Sequence, residues 1–390
     1  MADWSELPLD LLQLISNLNY TSSNTRHFRS VCSSWRSSVP PKPSTHFHPH
    51  TIKFFSSHLH HLDLRLAKQT IFLISLSSDP NSSWVIKTEE QKLGVFHLLS
   101  PFSNKNLIKN SNFNILELSN VNTLEIGHEY VLHSIGGNGV GDLSLYNMEN
   151  EKVACVGENG NFTILSTHSS SGKLLMYKSI LQEWAFLEGD ALGYDDRSEF
   201  VYDWSLRYVD VAEYDGKFYA VTDYGRTVII DYINNSSVVV SVMVKSITGG
   251  DKKYLVKSSD ELLLVDLYTC SVDESLEVNA IDVYKLENDE KKWVLLTSLG
   301  GRVIFLSKYL SFSTSNVMGL KRNCIYFSSK NLGRKFYEKK DRNIDDDWDE
   351  DVVKSSDEIG VFDYEKGDFG SLEDSKCFCW PPPSWVNMLK

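Results

Sequence analysis

Beyond residue 70 the chain is built of short runs of β-branched and aromatic residues, separated by Asn, Asp, Gly and Lys. Trp84-Val-Ile86, Tyr130-Val-Leu132, Phe162-Thr-Ile-Leu165, Lys217-Phe-Tyr-Ala-Val-Thr222, Thr227-Val-Ile-Ile230, Val238-Val-Val-Ser-Val242, Glu261-Leu-Leu-Leu-Val265 and Arg302-Val-Ile-Phe-Leu306 are such runs. Their residues suit a pleated, buried surface, and the polar residues between them suit turns. Asp215-Gly216, between two runs, is a hairpin signal, because the favoured two-residue turn needs positive φ at both positions. No helical periodicity of any length interrupts the pattern, so the region is expected to be nearly all β.

The runs also recur with a period. A Tyr ending an apolar stretch stands at Tyr146, Tyr177, Tyr232, Tyr284 and Tyr364. Tyr177 to Tyr232 is 55 residues and Tyr232 to Tyr284 is 52, close to the roughly 50 residues of one four-stranded, kelch-type propeller blade. Gly136-Gly137, Gly249-Gly250 and Gly300-Gly301 resemble kelch doublets at irregular spacing. Repeated β-meanders joined in a ring bury both faces of every sheet and shield most edges. Residues 71–390 are therefore expected to form a mainly β, kelch-like β-propeller of about six or seven blades. One large β-sandwich, or two β domains, is the competing arrangement.

The N-terminal 43 residues are different. Leu7, Leu11, Leu14, Ile15 and Leu18 follow the spacing of one helix face. Pro8 suits a first helical turn, and Asp10 there favours the helix dipole. Tyr20 to Asn24 break the pattern and offer N-caps for a second helix. Phe28, Val31, Cys32, Trp35 and Val39 repeat the helical spacing until Pro40-Pro41-Lys42-Pro43 stops it. Two amphipathic helices are too little for a core of their own. Their apolar faces need a cover, either the rest of the chain or another protein's helices.

The stretch from Glu6-Leu7-Pro8-Leu9-Asp10 through Ile15 and Leu18 to Phe28-Arg29-Ser30-Val31-Cys32-Ser33-Ser34-Trp35-Arg36 resembles an F-box: a Leu-Pro opening, spaced Leu and Ile, and a closing Val-Cys-x-x-Trp-Arg. Ser23-Asn24-Thr25 stands where that family often has an acidic residue. At the other end Asn323-Cys-Ile-Tyr-Phe327, Gly360-Val-Phe-Asp363 and Trp380-Pro-Pro-Pro-Ser-Trp385 are similar to the β domain of plant F-box proteins with a kelch-like domain of uncharacterised function. The resemblance implies a substrate-recognition subunit of an SCF-type ubiquitin ligase. It implies that Leu7, Pro8, Leu11, Leu12, Ile15, Leu18, Val31, Cys32, Trp35 and Arg36 meet a Skp-type adaptor, and through it the cullin and RING subunits. The β domain would hold a target protein. An F-box protein that binds the adaptor without recruiting a degradation target, or a propeller enzyme, are the alternatives.

The expected layout is a helical module over 1–43, a His-rich basic linker over 44–70, and the β domain over 71–390 with an acidic loop at 338–357. Residues 26–68 hold seven Lys and Arg against Asp63 alone, in a chain of net charge −13. That balance disfavours nucleic acid as a partner, since phosphates need a basic field. Six of the eleven histidines (His46, His48, His50, His58, His60, His61) sit together, yet no Cys accompanies them at finger spacing, so no metal is expected. Gly137-Asn-Gly139-Val-Gly141 lacks the Lys-Ser/Thr of a phosphate loop. Cys377-Phe-Cys379 is not a paired metal or redox motif. No cofactor and no catalytic residue are expected. The acidic opening carries no signal-peptide pattern, and no run approaches the roughly 18 apolar residues of a membrane span. A nuclear or cytoplasmic protein with reduced thiols is expected. The run Asp345–Asp351 reads as exposed loop.

Overall fold

In the computed structural model the described residues are 7–17, 28–38, 50–55, 61–76, 79–92, 95–102, 121–135, 151–188, 207–328 and 359–370, with short gaps at 159–160, 170, 234–236, 246, 248, 260, 273–274, 309 and 316–319. The sequence features at Tyr146, Gly136–Gly141, Asp345–Asp351, Cys377–Cys379 and Trp380–Trp385 lie outside them, as does the whole expected acidic loop at 338–357.

The fold is a β-propeller. The first sheet holds β1 (His50–Phe55), β2 (His61–Leu76), β3 (Asp79–Lys92), β4 (Val95–Leu99) and β5 (Val121–Ile135). The second is the antiparallel meander β6 (Val153–Glu158), β7 (Asn161–His168), β8 (Lys173–Lys178) and β9 (Glu183–Phe186). The third is β10 (Tyr208–Tyr214), β11 (Lys217–Thr222), β12 (Thr227–Ile233) and β13 (Ser237–Val244). The fourth is β14 (Lys252–Ser258), β15 (Glu261–Val272), β16 (Ser275–Glu287) and β17 (Lys292–Leu295). The fifth group is β18 (Val303–Ser307), β19 (Leu310–Thr314), β20 (Cys324–Ser328), β21 (Ile359–Asp363) and β22 (Asp368–Gly370). A single parallel contact, Lys257 opposite Phe312, joins the fourth and fifth into one continuous sheet.

Alternation within each run explains why the runs read as continuously apolar. In β8, Leu174 and Met176 pack toward the third sheet, while Leu175 and Tyr177 pack toward the first. In β15, Leu262 and Leu264 face the third sheet, and Leu263 and Val265 face the fifth. In β18, Ile304 and Leu306 face the fourth sheet, and Val303 and Phe305 face the first. Each sheet is thus buried on both sides, so neither face of a strand is left to polar residues. Each Leu or Phe so buried contributes about 1.5–3 kcal/mol.

The sheets close on themselves. Ile71, Leu73 and Val85 of the first sheet share one core with Val303, Phe305, Tyr326 and Val361 of the fifth. At the centre β5 touches β6, β6 touches β10, β10 touches β14, β14 touches β19, and β19 touches β5. The described residues therefore build a ring of five sheets, where length alone predicts six or seven blades. The difference comes from the first sheet. It runs from His50 to Ile135, well past the roughly 50 residues of a kelch blade, because β2, β3 and β5 are long.

The segment 44–70, expected to be a linker, instead carries β1 and the start of β2. Leu64 and Leu66 are fully buried and alternate with exposed Asp63 and half-buried Arg65. That alternation is a strand pattern which the surrounding basic residues and histidines obscure in the sequence. His50 and His61 lie at opposite ends of the β1–β2 ladder, opposite Leu66 and Phe55. His46, His48, His58 and His60 lie outside the described residues.

Polar groups inside the ring are tied down. The Asp210 carboxylate accepts from the backbone N–H of Val211 at 2.9 Å and of Leu255 at 2.8 Å, linking the third sheet to the fourth. Glu89 accepts from Gln69 at 2.8 Å and pairs with Arg65 at 2.5 Å and His133 at 2.8 Å. Lys253 donates to Asp266 and to the Gly250 carbonyl, both at 2.9 Å, while Gly250 N–H donates to Asp266. A Cβ on Gly250 would come within 2.5 Å of the Leu267 carbonyl oxygen. The doublet Gly249-Gly250 is glycine because a buried ion pair is wrapped against its backbone.

Candidate protein-docking site

The helical module starts at α1 (Leu9–Asn17). Its first bond runs from Leu12 N–H to the Pro8 carbonyl at 3.1 Å, so Pro8 opens the helix without losing a donor. Residues 28–30 are helical, the helix breaks at Val31-Cys32, and α2 (Ser33–Ser38) follows. The sequence spacing predicts one continuous second helix. The break occurs where β-branched Val31 and Cys32 meet a Ser pair suited to capping.

Two arginines clasp across the break. Arg29 Nη1 donates to the Arg36 carbonyl at 2.8 Å, and Arg36 Nε donates to the Arg29 carbonyl at 3.0 Å. Phe28 is buried, and its ring centroid lies 4.5 Å from that of Trp35. α1 packs against α2. Leu12 is 0% exposed. It was expected on the adaptor face. Instead it is the side chain on which the small module closes, turned about 100° round α1 from Leu11 and about 160° from Leu14.

The outward side of the module is greasy. Leu9 is 54% exposed, Leu11 46%, Leu14 60% and Val31 56%. Pro8 is exposed, and Leu7, Ile15, Cys32 and Trp35 are half-buried. Leu18 lies outside the described residues. Helices this short do not hold themselves up by propensity. Exposed aliphatic side chains on such a module are what a helix-in-groove partner covers. Of the ten residues expected there, Leu7, Pro8, Leu11, Ile15, Val31, Cys32 and Trp35 keep accessible surface. Arg36 is exposed but uses its Nε in the clasp, and Leu9 and Leu14 join the exposed set.

On the ring, the β8–β9 turn raises Ile180 and Leu181, each 54% exposed. The turn is fixed by Gln182 N–H on the Lys178 carbonyl at 2.8 Å, with Gln182 at φ 55°. In the sequence its signal is two aliphatic residues inside a polar turn, Lys178-Ser-Ile-Leu-Gln-Glu183. Among the described residues no group of three His, Cys, Asp or Glu is placed to hold a metal ion. Burial pushes the Cys155 thiol up to about 12 and the Cys324 thiol up to about 11, which keeps both out of thiolate chemistry. Among the described residues no helix is long and apolar enough to cross a membrane.

Comparison with known proteins bears on both parts. Residues 54–363 match the KIB1-4 beta-propeller family. The chain is 32% identical to the F-box protein SKIP23 of Arabidopsis thaliana, over 99% of this chain and 96% of that protein. It is 28% identical to the Arabidopsis F-box protein At2g17036, over 99% of this chain and 95% of the relative. An Arabidopsis F-box/kelch-repeat protein, At2g24250, is 26% identical over 83% of this chain and 80% of its own length.

Proposed function

This chain belongs to the KIB1-4 beta-propeller family and is related along its length to plant F-box proteins, and from that we propose that it is the substrate-recognition subunit of an SCF-type E3 ubiquitin ligase. The helical module, taken as residues 1–43, docks on a Skp-type adaptor through Pro8, Leu9, Leu11, Leu14 and Val31, with Leu7, Ile15, Cys32 and Trp35 at the edge. The adaptor connects it to the cullin and RING subunits. The propeller presents turn residues, Ile180 and Leu181 among them, to a target protein. The chain works in the nucleus or cytoplasm, where that machinery meets its targets.

The mechanism is proximity. A target held by the ring has its lysines kept near the charged conjugating enzyme, which raises their effective concentration without a catalytic group in this chain. The observation that carries the reading is the exposed aliphatic residues of α1. Leu9, Leu11 and Leu14 stand in solvent on a nine-residue helix, a costly arrangement unless a partner seals it.

The test is Leu11→Asp combined with Leu14→Asp. Carboxylates forced into an apolar contact cost roughly 3 kcal/mol or more, so adaptor affinity should fall at least a hundredfold. Calorimetric titration with the adaptor reads that loss, while the melting temperature of the ring stays at the wild-type value. Undiminished adaptor binding by the folded double variant would remove the proposal.

A further inference from the structure

The outermost strands of the second, fourth and fifth sheets are guarded, and that of the third is not. β9, β17 and β22 have 4, 4 and 3 residues and carry Glu183, Lys292 and Asp368 respectively. Short length and charge are the usual means of keeping a free sheet edge from pairing with other chains. β13 has 8 residues, Ser-Val-Val-Val-Ser-Val-Met-Val, with neither charge nor proline. Its inner side is paired with β12 from Ser237 to Val244. On its outer side no strand is hydrogen-bonded to it among the described residues, although β17 of the fourth sheet comes near it.

The sequence of this edge is its own complement. Residues 237–241 read Ser-Val-Val-Val-Ser in either direction. Val238 and Val240 pack inward against the core shared by the second and third sheets. On the other face Val239 is 47% exposed and Ser241 is exposed. An antiparallel copy centred on Val239 sets Val239 opposite Val239, Val238 opposite Val240, and Ser237 opposite Ser241. The three central valines then pair apolar to apolar, while Val242, Met243 and Val244 have no β13 residue of the other copy opposite them.

We infer that β13 is a self-association edge: two copies of the chain pair there about a two-fold axis through Val239, making one eight-stranded sheet from their third sheets. The pairing is isologous and uses up the free edge of each copy, so it closes as a dimer and does not propagate into fibres. The contact is one short edge, which places it among weak, concentration-dependent associations. Such a dimer carries two copies of whatever surface the ring offers, and would engage a repeated or dimeric ligand more tightly than one copy can.

Sedimentation velocity on the full chain, in a series reaching high micromolar concentration, should show a monomer–dimer equilibrium. Val239→Lys and Val239→Glu should each weaken it at least about tenfold, because like charges meet at the axis. An equimolar mixture of the two variants should recover association, since Lys then faces Glu. Hydrogen exchange on the wild-type chain gives a readout free of any substitution: amides within 237–241 gain protection as concentration rises. A chain that stays monomeric, a dimer indifferent to both variants, a mixture that fails to recover, or exchange within 237–241 that does not change with concentration would each overturn the inference.

Discussion

The ring and the helical module solve the burial problem in opposite ways. In the ring each sheet has a neighbour on both faces, and the first and fifth sheets cover one another through Ile71, Leu73, Phe305 and Tyr326. In the module Leu12 and Phe28 alone are buried among its described apolar residues, while Leu9, Leu11, Leu14 and Val31 face outward. Both parts are rich in aliphatic side chains. The contrast teaches that composition does not decide which part stands by itself. Closure does: the ring's sheets cover one another all round, whereas the module closes on Leu12 and Phe28 only.

That contrast can be broken from the ring's side first. Phe305 is stacked between Phe312, 5.0 Å away, and Tyr326, 5.2 Å away, in the core that closes the circuit. Phe305→Ala should cost about 3–5 kcal/mol, read as a lowered denaturation midpoint of the whole β domain. A change confined to local exchange near β18 would mean that closure contributes little.

A smaller effect comes from Glu89. Burial raises its carboxyl, but the hydrogen bond with His133, then Gln69 and the charge of Arg65 outweigh that, so the net result lies below its ordinary range. A depressed carboxylate stabilises the fold above the unfolded pKa and loses that contribution as pH falls through the folded one. The ring should therefore weaken below about pH 4, and Glu89→Gln should flatten this acid limb. Melting curves across pH 3 to 7 measure it; an unchanged acid limb would assign the loss to other carboxyls.

The smallest effect sharpens the comparison without altering the protein. Cys155 and Cys324 are buried in the ring, whereas Cys32 of the module, like Cys270 of β15, is half-buried. A maleimide should label Cys32 in the free chain, be slowed there by bound adaptor, and leave Cys155 and Cys324 untouched until unfolding. Equal labelling rates in Cys32, Cys155 and Cys324 would erase the distinction.

Much of this architecture is legible in the residues. Tyr177, Tyr232 and Tyr284 fall on β8, β12 and β16, the third strands of three successive meanders, and Tyr364 directly follows β21. The spacing of the tyrosines is thus the spacing of the blades. Asp215 at φ 50° and Gly216 at φ 70° form the positive-φ hairpin between β10 and β11. The leucine spacing of α1 marks the helix, yet it does not say which leucine turns inward, since Leu11 and Leu12 differ only in what packs on them. The sheet count was hidden because strand length varies and a periodic signal averages over it. β1 and the start of β2 were hidden by His and Lys side chains that tolerate a strand as readily as a linker. Ile180 and Leu181 stand out only once the turn that lifts them is known.

The closing core joins β2 and β3, made early, to β18, β20 and β21, made near the end. While the ribosome is still at work, the flank of the nascent chain bearing Ile71, Leu73 and Val85 has nothing to rest on. It must wait, exposed, for Val303 and Val361 to emerge. Folding of the ring is therefore completed only after nearly all of the polypeptide has been synthesised, and a premature stop upstream of β18 leaves a sticky, unfinished chain for the cell's chaperones.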